Sequence, residues 1–297
     1  MPNLLCIGDV MLDVVAVVPS AINYGSDTPS KISTHGGGAA GNVASWAQVS
    51  GAQTQVLARV GNDSAGTAVL SEFDRLGITY SHSIVPGART GVVVILVDPT
   101  GERTMFPDSG ANSGLTVNDL PSLDDFKAIY LSGYALQNAQ SRPGVLAMIE
   151  KIREKNLPIF FDPATVGGMS QVKLEEILSW LPLMSTLLLN EEEAIFLTKE
   201  SNIDACLDAL LEFTPTVVIK KGSMGSVGKT RNGQLVSVAA IKSSMIDTTG
   251  AGDSYAGGFI ASWLENRDLL HCMKSGSLVA GECVAIVGAR PQVTTEI

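Results

Sequence analysis

The chain has 297 residues, 45% hydrophobic and 17% charged. At that size a folded chain buries about three quarters of its unfolded surface, so the core needs no staples. Thirty acidic against 20 basic residues leave a net charge of −10 with no Lys/Arg stripe, which excludes the electrostatic footprint of a nucleic-acid binder and a polybasic membrane anchor. No apolar run approaches the ~18 residues of a membrane span. The amino end lacks a basic n-region and is broken by Gly8 and Asp9, so it reads as a first buried strand rather than a signal peptide, and the expected location is the cytoplasm.

In chain order, short aliphatic or β-branched runs alternate with helical patterns. Residues 4–7, 56–60, 128–131, 159–161, 186–189 and 217–219 read as buried parallel strands, and 41–49, 65–76, 143–155 and 203–213 have the spacing and length of helices. The alternation predicts an α/β fold, a doubly wound and mostly parallel sheet with ligands at the carboxyl ends of its strands. Residues 14–18 with 31–34, and 90–97 with 103–106, break the rhythm as strands or hairpins without intervening helices. They predict a small β lid, contributed by segments at about 12–36 and 88–108, that would close over a substrate. No repeat or Pro/Ser linker marks a second unit, so residues 1–297 are expected to form one domain. Cys6, Cys206, Cys272 and Cys283 lie in apolar stretches without metal-ligand spacing and read as reduced core thiols. His35, His82 and His271 flank no nucleophile and read as surface or loop residues.

The most informative stretch is Asp247-Thr-Thr-Gly-Ala-Gly-Asp253, ahead of an apolar helix over 254–264. Gly250 and Gly252 leave the backbone open where a helix begins, so its free N–H groups and dipole would hold a developing anion. Asp253 in the same turn would take a proton from an attacking hydroxyl, which suits a phosphate donor and an alcohol acceptor. Taken alone, a tight turn with Asp253 as N-cap suits the same residues. A second stretch, His35-Gly-Gly-Gly-Ala-Ala-Gly41-Asn42, opens another helix. Its glycines would let a backbone approach a polyhydroxylated ligand while Asn42 offers a donor and an acceptor; a flexible hinge suits it equally.

Together, on this alternating chain, the two stretches resemble the two signatures of the ribokinase-like (PfkB) carbohydrate kinase family. The first is matched by Gly37-Gly38-Ala-Ala-Gly-Asn42 with Gly51 and Gly61 following, the second by the whole run from Asp247 to Asp253. Gly8-Asp9 through Asp13, Gly101-Glu102-Arg103, Gly110-Ala111-Asn112, Asn190-Glu-Glu-Glu193 and Lys220-Lys-Gly222-Ser-Met-Gly225 extend the agreement over essentially the whole chain.

The resemblance implies a kinase that transfers the γ-phosphoryl group of ATP, with Mg²⁺, to a primary hydroxyl of a sugar such as ribose or fructose. Asp253 would be the base, and Gly250, Ala251 and Gly252 the anion hole. Asp13, Asn42 and the Gly37-Gly38 backbone would hold substrate hydroxyls, and Arg103 an acidic substrate group. Asn190 and Glu193, three apart and on one helix face, would lie near the triphosphate, Glu193 holding Mg²⁺ through water; an acidic helix start is the plain alternative. Lys220, Gly222 and Gly225 would form the nucleotide loop, with Ser277 beside the adenine. Asp247 and the Thr249 carbonyl would help hold K⁺, completed by backbone of 283–288, unless Asp247 only shapes its loop through backbone N–H groups. A homodimer through the lid edge would be in keeping with the family. A nucleoside or pseudouridine kinase of the same fold is one alternative reading. A non-catalytic sugar or nucleotide sensor is another, against which the intact Asp253 speaks.

Two tempting motifs fail. Gly228-Lys229-Thr230 is no P-loop, since Ser223 stands where a glycine is required and Arg231-Asn-Gly233 reads as a hairpin turn. Gly8-Asp-Val-Met after the first strand lacks the G-x-G-x-x-G of a dinucleotide oxidoreductase. Substrate choice is left to lid side chains such as Met105 and Phe106.

Overall fold

The computed structural model describes residues 3–80 and 84–292; His82 lies outside the described residues. In chain order the elements are β1 (Leu4–Ile7), β2 (Met11–Val17), β3 (Lys31–Gly37), α1 (Ala39–Val49), β4 (Thr54–Leu57), β5 (Val60–Gly61), α2 (Ser64–Leu76), β6 (Thr79–Tyr80), β7 (Ile84–Val85), β8 (Gly91–Val97) and β9 (Arg103–Asp108). There follow β10 (Ala128–Ser132), α3 (Gly133–Gln137), α4 (Arg142–Glu154), β11 (Ile159–Asp162), α5 (Val166–Met169), α6 (Leu174–Trp180), β12 (Thr186–Asn190), α7 (Glu191–Thr198) and α8 (Ile203–Leu211). The chain closes with β13 (Thr216–Lys220), β14 (Ser226–Thr230), β15 (Val236–Val238), α9 (Ala251–Leu264) and α10 (Leu269–Cys283).

Nine strands form one sheet in the order β15-β14-β13-β12-β11-β10-β1-β4-β6. It is parallel from β13 through β6 and ends in an antiparallel hairpin, β14–β15. The central strands are buried on both faces and mostly apolar, and their period of two sends alternate residues to opposite cores. Leu5, Ile7, Ile129, Leu131 and Phe161 join the cluster that includes Val145, Ile149, Leu207 and Leu210. Leu4, Cys6, Ala128, Tyr130 and Phe160 join the one that includes Val43, Phe73, Tyr255 and Phe259. All four cysteines are buried free thiols. Among the described residues no helix is long and apolar enough to cross a membrane.

The segments that broke the rhythm form a separate four-stranded sheet, β3-β2-β8-β9. Each hairpin is antiparallel, but β2 and β8 run parallel, which joins the two hairpins into one lid. Its register sets two faces. Asp13 pairs with Val93, and Val17 with Val97 and Arg103, so these side chains share one face. Val14, Ile32, Val94 and Phe106 lie on the other, where Ile32 is 61% and Phe106 54% exposed. Met105 and Phe106, adjacent in sequence, therefore look in opposite directions.

Several elements were not given spans by the sequence pattern. α7 begins one residue after a strand, α10 carries Gly276, Gly281 and three serine or lysine interruptions in its apolar pattern, and β14 and β15 are short. Tertiary packing overrides weak local propensity there. Elsewhere the expected spans shift by a few residues, chiefly at ends where caps decide.

Candidate active site

The site lies at the carboxyl edge of the large sheet. Asp9 follows β1, Asp162 ends β11, Asn190 ends β12 and Lys220 ends β13, so four parallel strands deliver polar side chains to one edge. α1 and α9 start at the same edge. α9 begins after Gly250, whose φ of 76° lies in the left-handed region and where a Cβ would sit 2.7 Å from Ala289. No side chain caps it. The Ala251 N–H turns back to the Thr248 carbonyl at 3.3 Å, whereas among the described residues the N–H groups of Gly250, Gly252 and Asp253 find no acceptor. An anion hole was expected at Gly250, Ala251 and Gly252; the N–H groups left open at the positive end of the helix dipole are those of Gly250, Gly252 and Asp253.

Asp253 stands in that first turn and accepts a hydrogen bond from Asn42 Nδ2 at 2.8 Å. Burial pushes its pKa up to about 7; Asn42 opposes the rise and the charge of Asp162 adds to it. Lys220 lies over the helix start, its Nζ 3.2 Å from where a Gly252 Cβ would be, and forms a 2.6 Å ion pair with the buried Asp162. Burial works against the Lys220 charge, but Asp162, Glu193 and Asp253 together hold its pKa above the usual lysine value.

Toward the lid, Asp13 is 8% exposed and packs so closely on Gly37 that a Cβ there would approach its Oδ1 to 2.2 Å. Burial raises Asp13 to about 6, with Arg290 opposing. Asp9 accepts from the Ala39 N–H and from Ser132 Oγ, both at 3.1 Å, so it ties the start of α1 to β10. The glycine stretch is filled from within: Cβ atoms at Gly36 and Gly41 would collide with Arg290 at 2.2 and 2.4 Å. Gly36 and Gly41 thus make room for a buried arginine, whereas Gly37, expected with Gly38 to face a ligand, packs on Asp13 and Gly38 on the Asp9–Val10 backbone.

At the other end, Asn190 is the N-cap of α7 and not a residue on its face. Its Oδ1 accepts from the Glu193 N–H at 2.9 Å, while Glu193 accepts from the Asn190 backbone N–H and Nδ2 at 2.8 and 2.7 Å. This reciprocal capping box is the acidic helix start that stood as the alternative reading. Glu193 is 2% exposed, and burial with the nearby Asp162 charge raises it to about 7. Three carboxylates, Asp162, Glu193 and Asp253, thus face one ammonium, Lys220, with raised proton affinity at two of them. That surplus of negative charge suits a divalent cation held through water at Glu193, although among the described residues no cluster forms a direct ligand set. Gly222 and Gly225 take φ of 54° and 91° in the turn between β13 and β14, Gly225 packing on 238–240. Ser277 is buried in α10. Near them in the chain, Met224, Ile241 and Leu278 are 47–64% exposed. Gly228, Lys229 and Thr230 lie in strand β14, which confirms that they form no P-loop.

The expected K⁺ site does not fit. Asp247 Oδ1 accepts from the Thr249 N–H at 2.7 Å and from Arg103 Nη2 at 2.6 Å, and Oδ2 accepts from the Gly288 N–H at 3.0 Å. Arg103 also donates to the Thr249 hydroxyl, and the Thr249 carbonyl accepts from Cys283 Sγ. Burial raises Asp247, but the bonds from Gly288 and Thr249 and the Arg103 charge hold it below the usual carboxylate range. Asp247 thus shapes its loop, and the lid arginine supplies the positive charge. Arg103, expected on an acidic substrate group, ties β9 to the loop before α9.

Sequence reasoning missed Asp162 and Arg290. The acid ending the apolar run 159–161 was a signal of a strand end at the ligand edge; nothing local marks Arg290, which acts far from its place in the chain.

The structure thus joins a doubly wound, mostly parallel sheet, a small β lid tied to it through Arg103, and a helix start with open N–H groups beside a carboxylate. The PfkB family carbohydrate kinases match residues 1–296, and the chain belongs to that family. It is 28% identical over 251 residues to an uncharacterized sugar kinase of Archaeoglobus fulgidus, covering 81% of this chain and 94% of that protein. It is 26% identical to the ribokinase of Schizosaccharomyces pombe, covering 100% and 95%. In structure it resembles an adenosine kinase from Sinorhizobium meliloti, with a TM-score of 0.88 and 23% identity over 99% of this chain and 97% of that one. It also resembles a putative ribokinase II from E. coli in complex with ATP and Mg²⁺, with a TM-score of 0.86 and 20% identity over 97% and 94%. The fold is ribokinase-like, and the chain is a kinase of a carbohydrate or nucleoside.

Proposed function

We propose that the protein transfers the γ-phosphoryl group of ATP to a primary hydroxyl of a sugar. The observation that carries the reading is the Asp253 carboxylate, held by Asn42 in the first turn of a helix with unused N–H groups. Asp253 would take the proton of the attacking hydroxyl, and the Gly250, Gly252 and Asp253 amides, with Lys220, would meet the charge that develops on the phosphoryl oxygens. Asp13 and the Gly37 region would hold the acceptor under the lid, and the Gly222–Gly225 turn with Ser277 the base of the nucleotide. Mg²⁺ held through water by Glu193 would neutralise part of the triphosphate charge. The relative crystallised with ATP and Mg²⁺ supports both partners. A nucleoside acceptor is the second reading, favoured by the structural likeness to an adenosine kinase. Buried thiols and the demand for ATP suit the cytoplasm. The apolar outer face of the lid suits a second copy of the chain, and a monomer by light scattering at micromolar concentration would remove that pairing.

The deciding experiment is ADP release from MgATP over a panel of pentoses, hexoses, keto-deoxy acids and nucleosides, beside Asp253→Asn. One acceptor whose turnover the variant loses by orders of magnitude supports the kinase with this base. Silence of the wild type on every acceptor, with a sugar still bound, favours a sensor; equal activity of both proteins removes Asp253 as base.

A further inference from the structure

Arg290 belongs to the segment after α10 and is only 7% exposed. Its guanidinium spends each nitrogen on a different acceptor: Nη1 on Glu72 Oε2 at 2.9 Å, Nη2 on the Gly37 carbonyl at 2.7 Å, and Nε on Asn42 Oδ1 at 3.2 Å. Its plane lies 4.7 Å from the centre of the Phe73 ring, and the other Glu72 oxygen accepts from the Gly36 N–H at 3.1 Å. The slot between Gly36 and Gly41 admits this group and nothing bulkier on the backbone. Three of these four contacts anchor the arginine. The fourth reaches the amide that holds Asp253.

We infer that Arg290 is a positioning residue for the reaction: it fixes the Asn42 amide with Oδ1 turned to the guanidinium and Nδ2 turned to Asp253. The inference rests on the proposed role of Asp253 as base. An amide can turn over with almost no change of shape, which exchanges its donor and acceptor ends. With Nδ2 toward Asp253 it favours the ionised carboxylate, the stronger acceptor and the form that takes up a proton. Turned over, its oxygen would repel the carboxylate and welcome the protonated acid. Asp253 by itself does not choose between these pairs. Arg290 does, because a guanidinium has five donors and no acceptor and tolerates only the oxygen end at 3.2 Å. The charged and titratable groups that interact with Asp253 are Asp162 and Lys220 from the strand ends, Asp9 from the loop after β1, Tyr130 from β10, Tyr134 from α3 and Cys283 from α10. Those that act on Arg290 are Glu72 from α2, Asp13 from β2 and Asp9. None of these dictates which end of the Asn42 amide faces the base.

The test is Arg290→Lys, beside Arg290→Met, each also in an Asn42→Ala background. Lysine puts a methylene where Nε stands, so it keeps a cation beside Glu72 and loses the bond to Asn42. Two readouts are followed: the acid limb of kcat/KM against pH, and the carboxyl ¹³C titration of Asp253 without substrate, assigned by its loss in Asp253→Asn. In both arginine variants the two midpoints should rise by about one pH unit, the scale of one hydrogen bond to a charged group. Turnover should then fall about fivefold at pH 7 and stay nearly unchanged at pH 9, because only the ionised fraction has changed. In the Asn42→Ala background neither substitution should move the midpoint further. Midpoints that stay put while the melting temperature drops make Arg290 a structural residue only and overturn the inference. A shift that persists without Asn42 overturns it too, since the action would then bypass the amide. Should Arg290→Met fail to fold, Arg290→Lys still decides. If no acceptor gives turnover in the wild type, the kinase reading fails, while the ¹³C titration still judges Arg290.

Discussion

Asp253→Asn should do two opposite things at once. As the proposed base, Asp253 is needed ionised, and its replacement should lower kcat by several orders of magnitude. The same carboxylate is held where its charge is costly: burial and the neighbouring Asp162 raise its pKa from 3.8 to about 7. A folded pKa above the unfolded one means that the folded state holds the proton more tightly, so stability falls as pH rises between the two values. From pH 5 to pH 7 the unfolded chain has already released the proton and the folded chain has not. Each unit costs about 1.4 kcal/mol, at most about 3 kcal/mol over the interval, less where solvent reaches the carboxylate. Asparagine carries no such charge and can still accept from Asn42 Nδ2. Relative to the wild type, the variant should therefore gain up to about 3 kcal/mol of stability between pH 5 and pH 8. Urea unfolding of both proteins at pH 5, 6, 7 and 8 measures it. A stability difference that does not change with pH would refute the placement of Asp253 in a charge-disfavouring site, and a dead variant that is also less stable at pH 8 would show that the carboxylate is structural.

Lys220→Met leaves the buried Asp162 without its 2.6 Å partner and should cost about 3 kcal/mol in urea unfolding, together with loss of turnover. Gly41→Ala drives a methyl group to 2.4 Å from Arg290 and should cost about 2 kcal/mol; an unchanged midpoint would mean that the slot yields freely. Since Arg103 already serves Asp247 and Thr249, wild-type turnover should be the same in K⁺ and Na⁺, whereas Arg103→Met should raise the acceptor KM by freeing the lid; a K⁺ requirement in the wild type would contradict the ion pair. Below pH 7 wild-type kcat/KM should fall about tenfold per unit as Asp253 takes its proton, and a flat profile from pH 5 to 8 would remove a base with that pKa.

The sequence was most legible where one residue type has one physical use. The run from Asp247 to Asp253 announced a helix start with open amides and a carboxylate, and α9 begins there. The short, mostly apolar runs at 128–131 and 186–189, set in an alternating pattern, read as strands buried on both faces, and they lie near the centre of the sheet. Legibility ended where a side chain answers to a partner remote in the chain. Asn190 and Glu193 satisfy one another in a capping box, a local pattern that spacing alone shares with a ligand pair. Arg103 answers to Asp247 across 144 positions, and Arg290 to Asn42 across 248, distances over which no periodicity carries information. The sequence by itself determined the alternating α/β order, the lid segments and the two glycine-rich helix starts, because backbone freedom and apolar periodicity are local properties. Only the tertiary structure decided that an arginine occupies the glycine slot, that a lid guanidinium stands in for a cation at Asp247, and which amide holds the carboxylate of Asp253, because each depends on what the folded chain brings within hydrogen-bonding reach.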